Sequence, residues 1–160
     1  MTRGGPVTGI IFDKDGTLFD FQSTWAGPFR KLVEQLGTEG NQGRVAAAIG
    51  FDLTAERFLP ESPVIAGTSG EVAELLAEAT GQGFDRVLDV MNAVGGEARQ
   101  MPAVPLAECL AALKPGRKLG LVTNDTEGPA KAHLSQEGIL GLFDFVAGYD
   151  SGHGAKPAPG

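Results

Sequence analysis

The chain carries the stretch Ile11-Phe12-Asp13-Lys14-Asp15-Gly16-Thr17-Leu18-Phe19-Asp20 near its N-terminus, and this stretch decides the fold. Asp13 and Asp15 directly follow an apolar run, and in extended backbone their carboxylates point to the same side. Gly16 permits a sharp turn and leaves backbone N–H groups free to cradle an anion. An aspartate-rich turn is the alternative, but chance yields D-x-D-G-T in such a chain with odds on the order of one in a thousand. The stretch therefore predicts a functional site where a strand ends.

Three short apolar runs indicate buried parallel strands, and they span Val7–Phe12, Lys118–Val122 and Leu142–Ala147. Helical patterns lie on either side of the second run. Pro105–Lys114 begins with a proline, and Thr126–Gly138 stops at a glycine. Such alternation is typical of a doubly wound α/β domain, so we expect a Rossmann-like parallel sheet.

Chemistry-bearing residues follow these strands. Asp13 comes after the first run, Thr123 after the second, and Lys156 lies in the segment after the third. Because active sites of such sheets gather at the carboxyl ends of the strands, we expect these three residues to converge on one crevice.

The stretch between the first and second strands has helical periodicity and no strand pattern. Apolar residues from Trp25 to Leu36 recur at helical spacing, Thr68-Ser69-Gly70-Glu71 is typical of a capping box, and a third helix covers Phe84 to Met91. We interpret Trp25 and its neighbours as the core of this insert. The predicted domains are an α/β core of residues 1–20 and 98–160 and an inserted all-helical cap of residues 21–97.

Composition excludes several classes of protein. The net charge of −7 argues against a nucleic-acid partner. No apolar run reaches the roughly 18–20 residues of a membrane helix, and the N-terminus lacks the apolar centre of a signal peptide. We therefore expect a cytoplasmic protein without a membrane partner. The single cysteine, Cys109, excludes a disulfide framework and is expected to be a small buried thiol.

Three charged or polar residues near these motifs are given no catalytic role. Strand alternation points Lys14 away from Asp13 and Asp15, which predicts a side chain that faces solvent or is packed by its stem. His133 lies in a helix with a surface-like pattern and is expected to be structural or solvated. Asp20 is expected to be a turn or helix-cap residue.

The opening stretch resembles the first motif of the haloacid dehalogenase-like (HAD) hydrolase superfamily. Leu121-Val122-Thr123-Asn124-Asp125 resembles its second motif, and Gly154-Ala155-Lys156-Pro157-Ala158-Pro159-Gly160 resembles its third. Together these motifs span essentially the whole chain. The sequence from Gly148 to Pro157 is most similar to that of the phosphoglycolate phosphatase-like branch.

The resemblance implies roles for seven residues. Asp13 would attack phosphorus to form an aspartyl phosphate, and Asp15 would act as general acid and base. Thr123 and Lys156 would bind and neutralise the phosphoryl group. The implied catalytic residues are therefore Asp13, Asp15, Thr123 and Lys156, and the implied substrate-binding residues are Gly16, Thr17 and Asn124. Mg²⁺ would be held by Asp13 and by the backbone carbonyl of Asp15.

The fourth motif of that superfamily, which completes the metal site with further aspartates, has no match before the sequence stops at Gly160. We therefore expect a C-terminally truncated sequence that is weakly active or inactive alone. By the same resemblance, the strand Val7–Phe12 would lose a neighbour and become an apolar edge.

These observations favour a Mg²⁺-dependent phosphatase that hydrolyses a small phosphorylated metabolite, with phosphoglycolate as the best candidate. A β-phosphoglucomutase-like phosphotransferase and a non-catalytic phosphate-binding or interaction module remain alternatives. A dehalogenase is disfavoured, because that chemistry attacks carbon and leaves Asp15 without a role. The sequence does not determine an oligomeric state.

Overall fold

The structure is a computed structural model that describes residues 5–158. Its elements follow one another as β1 (Gly9–Phe12), α1 (Phe21–Leu36), α2 (Gln42–Ala48), β2 (Phe51–Asp52), β3 (Arg57–Phe58), α3 (Ser69–Thr80), α4 (Phe84–Gly96), α5 (Leu106–Leu113), β4 (Lys118–Val122), α6 (Glu127–Gln136) and β5 (Phe145–Ala147). Residues 1–4, and Pro159 and Gly160 of the predicted third motif, lie outside the described residues.

Strands β1, β4 and β5 form a parallel sheet in the order β1-β4-β5, which confirms the predicted α/β fold. The register pairs Phe12 with Leu121 and Val122 with Ala147. The carboxyl ends of all three strands therefore lie at one edge of the sheet. Within the described residues β1 pairs on one side only, and its Ile11 is 74% exposed.

The strand bounds agree with the sequence prediction to different degrees. Strand β4 has the predicted limits, whereas β1 begins at Gly9 instead of Val7. Strand β5 begins at Phe145 because Leu140–Leu142, which contains the start of the predicted run, forms a 3₁₀ turn.

The buried side chains form two hydrophobic clusters. One lies around the sheet and helices α5 and α6, and its members are Leu18, Phe19, Leu106, Leu110, Leu119, Leu121, Ala130, Leu134 and Ile139. The other joins helices α1 to α4, and it includes Val33, Leu36, Ile49, Leu76 and Val87. The domain boundaries at residues 20/21 and 97/98 stay a prediction. Within residues 5–158, no helix is both long and apolar enough to cross a membrane.

Side-chain caps position two helices of the insert. Asp20 accepts a hydrogen bond from the Ser23 amide at the start of α1, which confirms its cap role. Thr68 and Glu71 form the predicted capping box of α3, because each side chain accepts the other's backbone N–H.

The insert also contains elements that sequence periodicity did not predict. Helix α2 is short, and β2 and β3 form a two-stranded antiparallel ladder that pairs Phe51 with Phe58. Asp52 accepts the N–H groups of Thr54 and Ala55 and closes the turn between these strands. The ladder is held by aromatic packing, since the ring of Phe58 lies 5.0 Å from the rings of both Phe29 and Phe51.

The prediction that Cys109 is buried is wrong, because its side chain is exposed. Helix α5 buries Leu106 and Leu110 against the sheet, and Cys109 lies outside that face.

Candidate active site

Two of the three strand ends are joined by a single ion pair. Asp13 directly follows β1, and Lys156 lies in the segment after β5. The Lys156 ammonium group donates to Asp13 Oδ1 at 2.7 Å, across 143 positions of sequence. The carboxyl-end geometry of the parallel sheet therefore brings these side chains together as expected.

The chain turns sharply after Asp13. The carbonyl of Lys14 accepts the N–H groups of Leu18 and Phe19, and the N–H of Gly16 donates to the Phe19 carbonyl. Gly16 adopts a φ of +77°, which a side chain would disfavour. The Gly16 amide is therefore engaged inside the loop and is not itself free to cradle an anion. Thr17 is exposed beside it.

Asp15 is fixed by two side-chain donors. Its Oδ1 accepts from the indole Nε1 of Trp25 at 2.7 Å and from the ammonium group of Lys14 at 3.0 Å. Its Oδ2 lies 2.8 Å from the same ammonium group. Trp25 packs against the hydrophobic cluster of the insert, as predicted, but its contact with Asp15 was not foreseen.

The prediction that Lys14 points away from both aspartates is wrong, because its ammonium group contacts Asp15, and the side chain is fully buried rather than solvent-facing. Besides Asp15, its ammonium group lies 3.6 Å from Asp125 Oδ2 and 5.2 Å from the centroid of the Trp25 ring. The parity argument fails because β1 ends at Phe12, so strand alternation does not reach position 14. A lysine between two aspartates is the sequence signal that could have suggested a paired, buried cation.

His133 is the buried partner of this lysine. An ammonium group only donates hydrogen bonds, so Nδ1 of His133 accepts from Lys14 at 3.4 Å. The ring hydrogen is then on Nε2, which donates to the Gly95 carbonyl of α4 at 3.2 Å. Burial, and secondly the nearby Lys14 charge, lower the pKa of His133. His133 is therefore structural rather than solvated, and it connects α6 with the insert.

Thr123 and Asn124 lie at the carboxyl end of β4. Thr123 is 3% exposed, and its hydroxyl oxygen accepts from the Asp125 amide at 3.1 Å. Asn124 Oδ1 accepts the N–H of Lys156 at 2.8 Å, and its Nδ2 donates to the carbonyls of Lys156 and Ala66 at 3.1 Å and 2.9 Å. Both amide hydrogens of Asn124 are thus engaged in holding the Lys156 loop and the insert, rather than free for a phosphate.

A cavity of about 480 Å³ opens between this edge of the sheet and the helical insert. Asp13, Asp15, Thr123, Asn124, Asp125 and Lys156 line its polar end. Gly16 and Thr17 are not among the lining residues. The sequence-predicted catalytic residues therefore share one cavity, and two of the three predicted binding residues lie outside it.

The oxygen atoms at this site can supply part of the coordination shell of Mg²⁺. Mg²⁺ prefers hard oxygen ligands and is commonly held by one or two carboxylates together with waters and phosphate. Asp13 offers a carboxylate, and both of its hydrogen-bond donors, Lys156 Nζ and the Lys14 amide, use Oδ1. The backbone carbonyl oxygen of Asp15 is a second oxygen ligand of the kind that Mg²⁺ prefers. Among residues 5–158 no three acidic, histidine or cysteine side chains form a metal cluster.

Several solved structures of other proteins have the same fold as this chain. L-2-haloacid dehalogenase from Xanthobacter autotrophicus is 22% identical with a TM-score of 0.57, over 96% of this chain and 61% of that one. The HAD hydrolase YfnB from Bacillus subtilis, solved with magnesium, is 17% identical with a TM-score of 0.61, over 91% and 66% of the two chains. A predicted phosphoglycolate phosphatase from Haemophilus somnus is 20% identical with a TM-score of 0.56, over 94% and 65%.

These likenesses establish the fold, and the chain spans less than two thirds of the length of each of these three structures. A comparison with curated protein sequences gave no significant match. The sequence profile of the haloacid dehalogenase-like hydrolases matches residues 7–160, nearly the whole chain. The protein therefore belongs to the haloacid dehalogenase-like hydrolase family.

Proposed function

We propose that this hydrolase is a Mg²⁺-dependent phosphatase that acts on a small phosphorylated metabolite through an aspartyl-phosphate intermediate. The observation that carries the proposal is the contact of Lys156 with Asp13 at 2.7 Å, in a cavity that Asp15 and Thr123 also line. A nucleophile, a second carboxylate, a hydroxyl and a cation are the groups that phosphoryl transfer requires.

In the first step a carboxylate oxygen of Asp13 forms a bond to phosphorus, and the bond from phosphorus to the alcohol oxygen breaks. Asp15 enters this step as the carboxylic acid and gives its proton to the departing alkoxide, so the product is a neutral alcohol and Asp15 is left as a carboxylate. In the second step water attacks phosphorus, Asp15 takes its proton, and Asp13 is released with inorganic phosphate. Asp15 suits both tasks because Lys14 and Trp25 hold its orientation throughout.

Charge neutralisation comes from residues around the transferred group. Lys156 places its ammonium group beside Asp13 and lowers the repulsion between the carboxylate and an anionic phosphate. Thr123 can donate its hydroxyl hydrogen to a phosphoryl oxygen. The carboxylate of Asp13 and the carbonyl of Asp15 would hold Mg²⁺, which would supply further positive charge to the phosphate.

The finer assignment to phosphoglycolate rests on sequence resemblance and is one candidate to be tested. A β-phosphoglucomutase-like activity would transfer the phosphoryl group to a sugar phosphate instead of water. A non-catalytic module would bind phosphate without releasing it from an ester. We propose no nucleic-acid or membrane partner.

The test is phosphate release from a panel of phosphate monoesters, with and without Mg²⁺, by the protein in its full natural length. The panel includes 2-phosphoglycolate. Asp13→Asn should lower kcat on the order of a thousandfold or more, because the nucleophile is lost. Asp89→Asn, an exposed aspartate on α4, is the matched control and should leave kcat unchanged. Phosphate release that survives in Asp13→Asn, or no release from any ester, would overturn the proposal.

A further inference from the structure

Most of the side chains that the insert contributes to the cavity are apolar. They come from helices α1, α3 and α4 and include Phe21, Trp25, Phe29, Leu32, Val72 and Met91, whereas Ser69 and Asn92 are polar. In the proposed reaction the phosphate occupies the polar end, so the leaving alcohol extends toward these side chains. A substrate class assigned from this lining rests on the proposed phosphatase activity.

The charged side chains that line the cavity all come from the segments that follow the strands of the sheet. Within the described residues Lys156 is the one cationic side chain that lines the cavity, and it is paired with Asp13. Three carboxylates, those of Asp13, Asp15 and Asp125, also line it. The buried cation Lys14 is not among the lining residues. A second negative charge on a substrate would therefore meet carboxylates and apolar walls, with no cation from the insert.

Of the neutral polar side chains in the lining, Ser69 and Asn124 are engaged elsewhere, whereas Asn92 of α4 is exposed. Ser69 donates its hydroxyl to Asp125 at 3.3 Å, and the amide of Asn124 holds the Lys156 loop and the Ala66 carbonyl. A buried carboxylate needs hydrogen-bond donors or a cation to compensate its lost hydration. Ser69 and Asn124 therefore offer little of either to the leaving group, and the amide that Asn92 adds is neutral.

Trp25 extends the apolar wall up to the reacting centre. Its Nε1 contacts Asp15, and its ring packs edge-on against Phe29 with the centroids 6.1 Å apart. An alcohol whose oxygen receives a proton from Asp15 would lie close to these rings. Met91 adds a flexible thioether that adapts to irregular apolar groups.

The size of the cavity also favours a larger apolar leaving group. Its volume of about 480 Å³ falls in the range of about 300–1,000 Å³ that accommodates drug-sized ligands. Phosphoglycolate, with a two-carbon acid as leaving group, would leave most of the apolar surface in contact with water. A larger apolar alcohol would bury that surface and gain hydrophobic free energy.

We infer that the substrate is a phosphate monoester of an apolar alcohol, without a second anionic group, because the insert surrounds the leaving group with aromatic and aliphatic side chains and supplies no cation. Phosphoglycolate and other carboxylate-bearing esters are disfavoured by the same lining.

A matched pair of esters tests this inference in the full-length protein with Mg²⁺. Pentyl phosphate and 5-(phosphonooxy)pentanoate share a five-carbon chain and differ in a terminal methyl against a terminal carboxylate. We expect kcat/KM for pentyl phosphate to be higher by about tenfold or more. Equal values, or a preference for the carboxylate ester, would overturn the inference and leave the phosphatase proposal intact. If neither ester nor any other is hydrolysed, the proposed function fails and this inference fails with it.

A variant of the lining gives a second readout. Met91 is partly buried, so Met91→Lys can place a cation in the cavity with limited disturbance of the core. We expect it to reduce the preference for pentyl phosphate about tenfold, chiefly through a lower KM for the carboxylate ester. Met91→Leu is the control and should preserve the preference within about twofold. Circular dichroism checks that both variants are folded, and an unchanged preference in folded Met91→Lys would count against the inference.

Discussion

The ammonium group of Lys14 contacts both carboxylate oxygens of Asp15, at 3.0 Å to Oδ1 and 2.8 Å to Oδ2. Lys14 is fully buried, whereas the side chain of Asp15 keeps 18% of its surface exposed. Removing one member of a buried ion pair leaves the other charge without compensation. Lys14 therefore both orients Asp15 and stabilises the folded chain.

Lys14→Met should destabilise the protein, since it removes the ammonium group and keeps an unbranched apolar side chain. We expect the free energy of unfolding to fall by about 3 kcal/mol, the low end for broken buried pairs, because Asp15 and Asp125 retain some contact with water. Urea unfolding followed by circular dichroism measures the change. A loss below about 1 kcal/mol, the range of exposed pairs, would contradict the role given to Lys14.

His133 should make stability depend on pH. Burial, and secondly the Lys14 charge, lower its pKa in the folded state below the ordinary value of 6.5. Between the two pKa values the unfolded chain binds more protons than the folded chain. The free energy of unfolding should therefore be unaffected by this group well above pH 6.5, and should fall as the pH drops from there toward the folded pKa. Urea midpoints at about pH 7.5 and about pH 5.5 measure the effect.

The two histidines provide a matched pair for this experiment. His133→Gln can keep an acceptor for Lys14 and a donor for the Gly95 carbonyl, so it should fold and lose most of the pH dependence in this window. His153→Gln changes an exposed ring that packs on Phe145, and it should retain that dependence. Equal pH dependence in the two variants would show that another group is responsible.

The parts of the fold that follow general rules were predictable from sequence. Strand β4 has the predicted limits, because a short apolar run between turn signals has few alternative structures. The meeting of Asp13 with Lys156 follows from the common edge at which parallel strands end. The cap formed by Thr68 and Glu71 depends only on residues three positions apart.

The remaining features depend on contacts that are distant in sequence. The burial of Lys14 requires His133 and Asp125, which α6 and the end of β4 bring to it. The ladder of β2 and β3 is too short to show alternation and is set by packing of Phe58 on α1. Such short elements are determined by tertiary structure, which local periodicity does not record.

Trp25→Phe should separate the positioning of Asp15 from the packing of the insert. The substitution keeps an aromatic ring and removes the Nε1 hydrogen bond to Asp15. A hydrogen bond to a charged group contributes about 1.5–3 kcal/mol, so we expect kcat to fall by about 10- to 100-fold with little change in KM. Phe84→Leu, at an exposed position outside the cavity, is the control and should leave kcat unchanged. A change in KM alone would indicate that Trp25 only contacts the substrate.

Lys156→Met is the counterpart of Lys14→Met, since each lysine pairs with one of the two aspartates of the first motif. The side chains of Lys156 and Asp13 are 37% and 48% exposed, so the free energy of unfolding should change by less than about 1 kcal/mol. The proposed reaction, by contrast, loses the cation beside the nucleophile, and kcat should fall by about 10²- to 10³-fold. Urea unfolding and phosphate release, measured on both variants, check this contrast. A large loss of stability in Lys156→Met, or unimpaired turnover, would mean that the exposed pair does not serve catalysis in the way that its position beside Asp13 indicates.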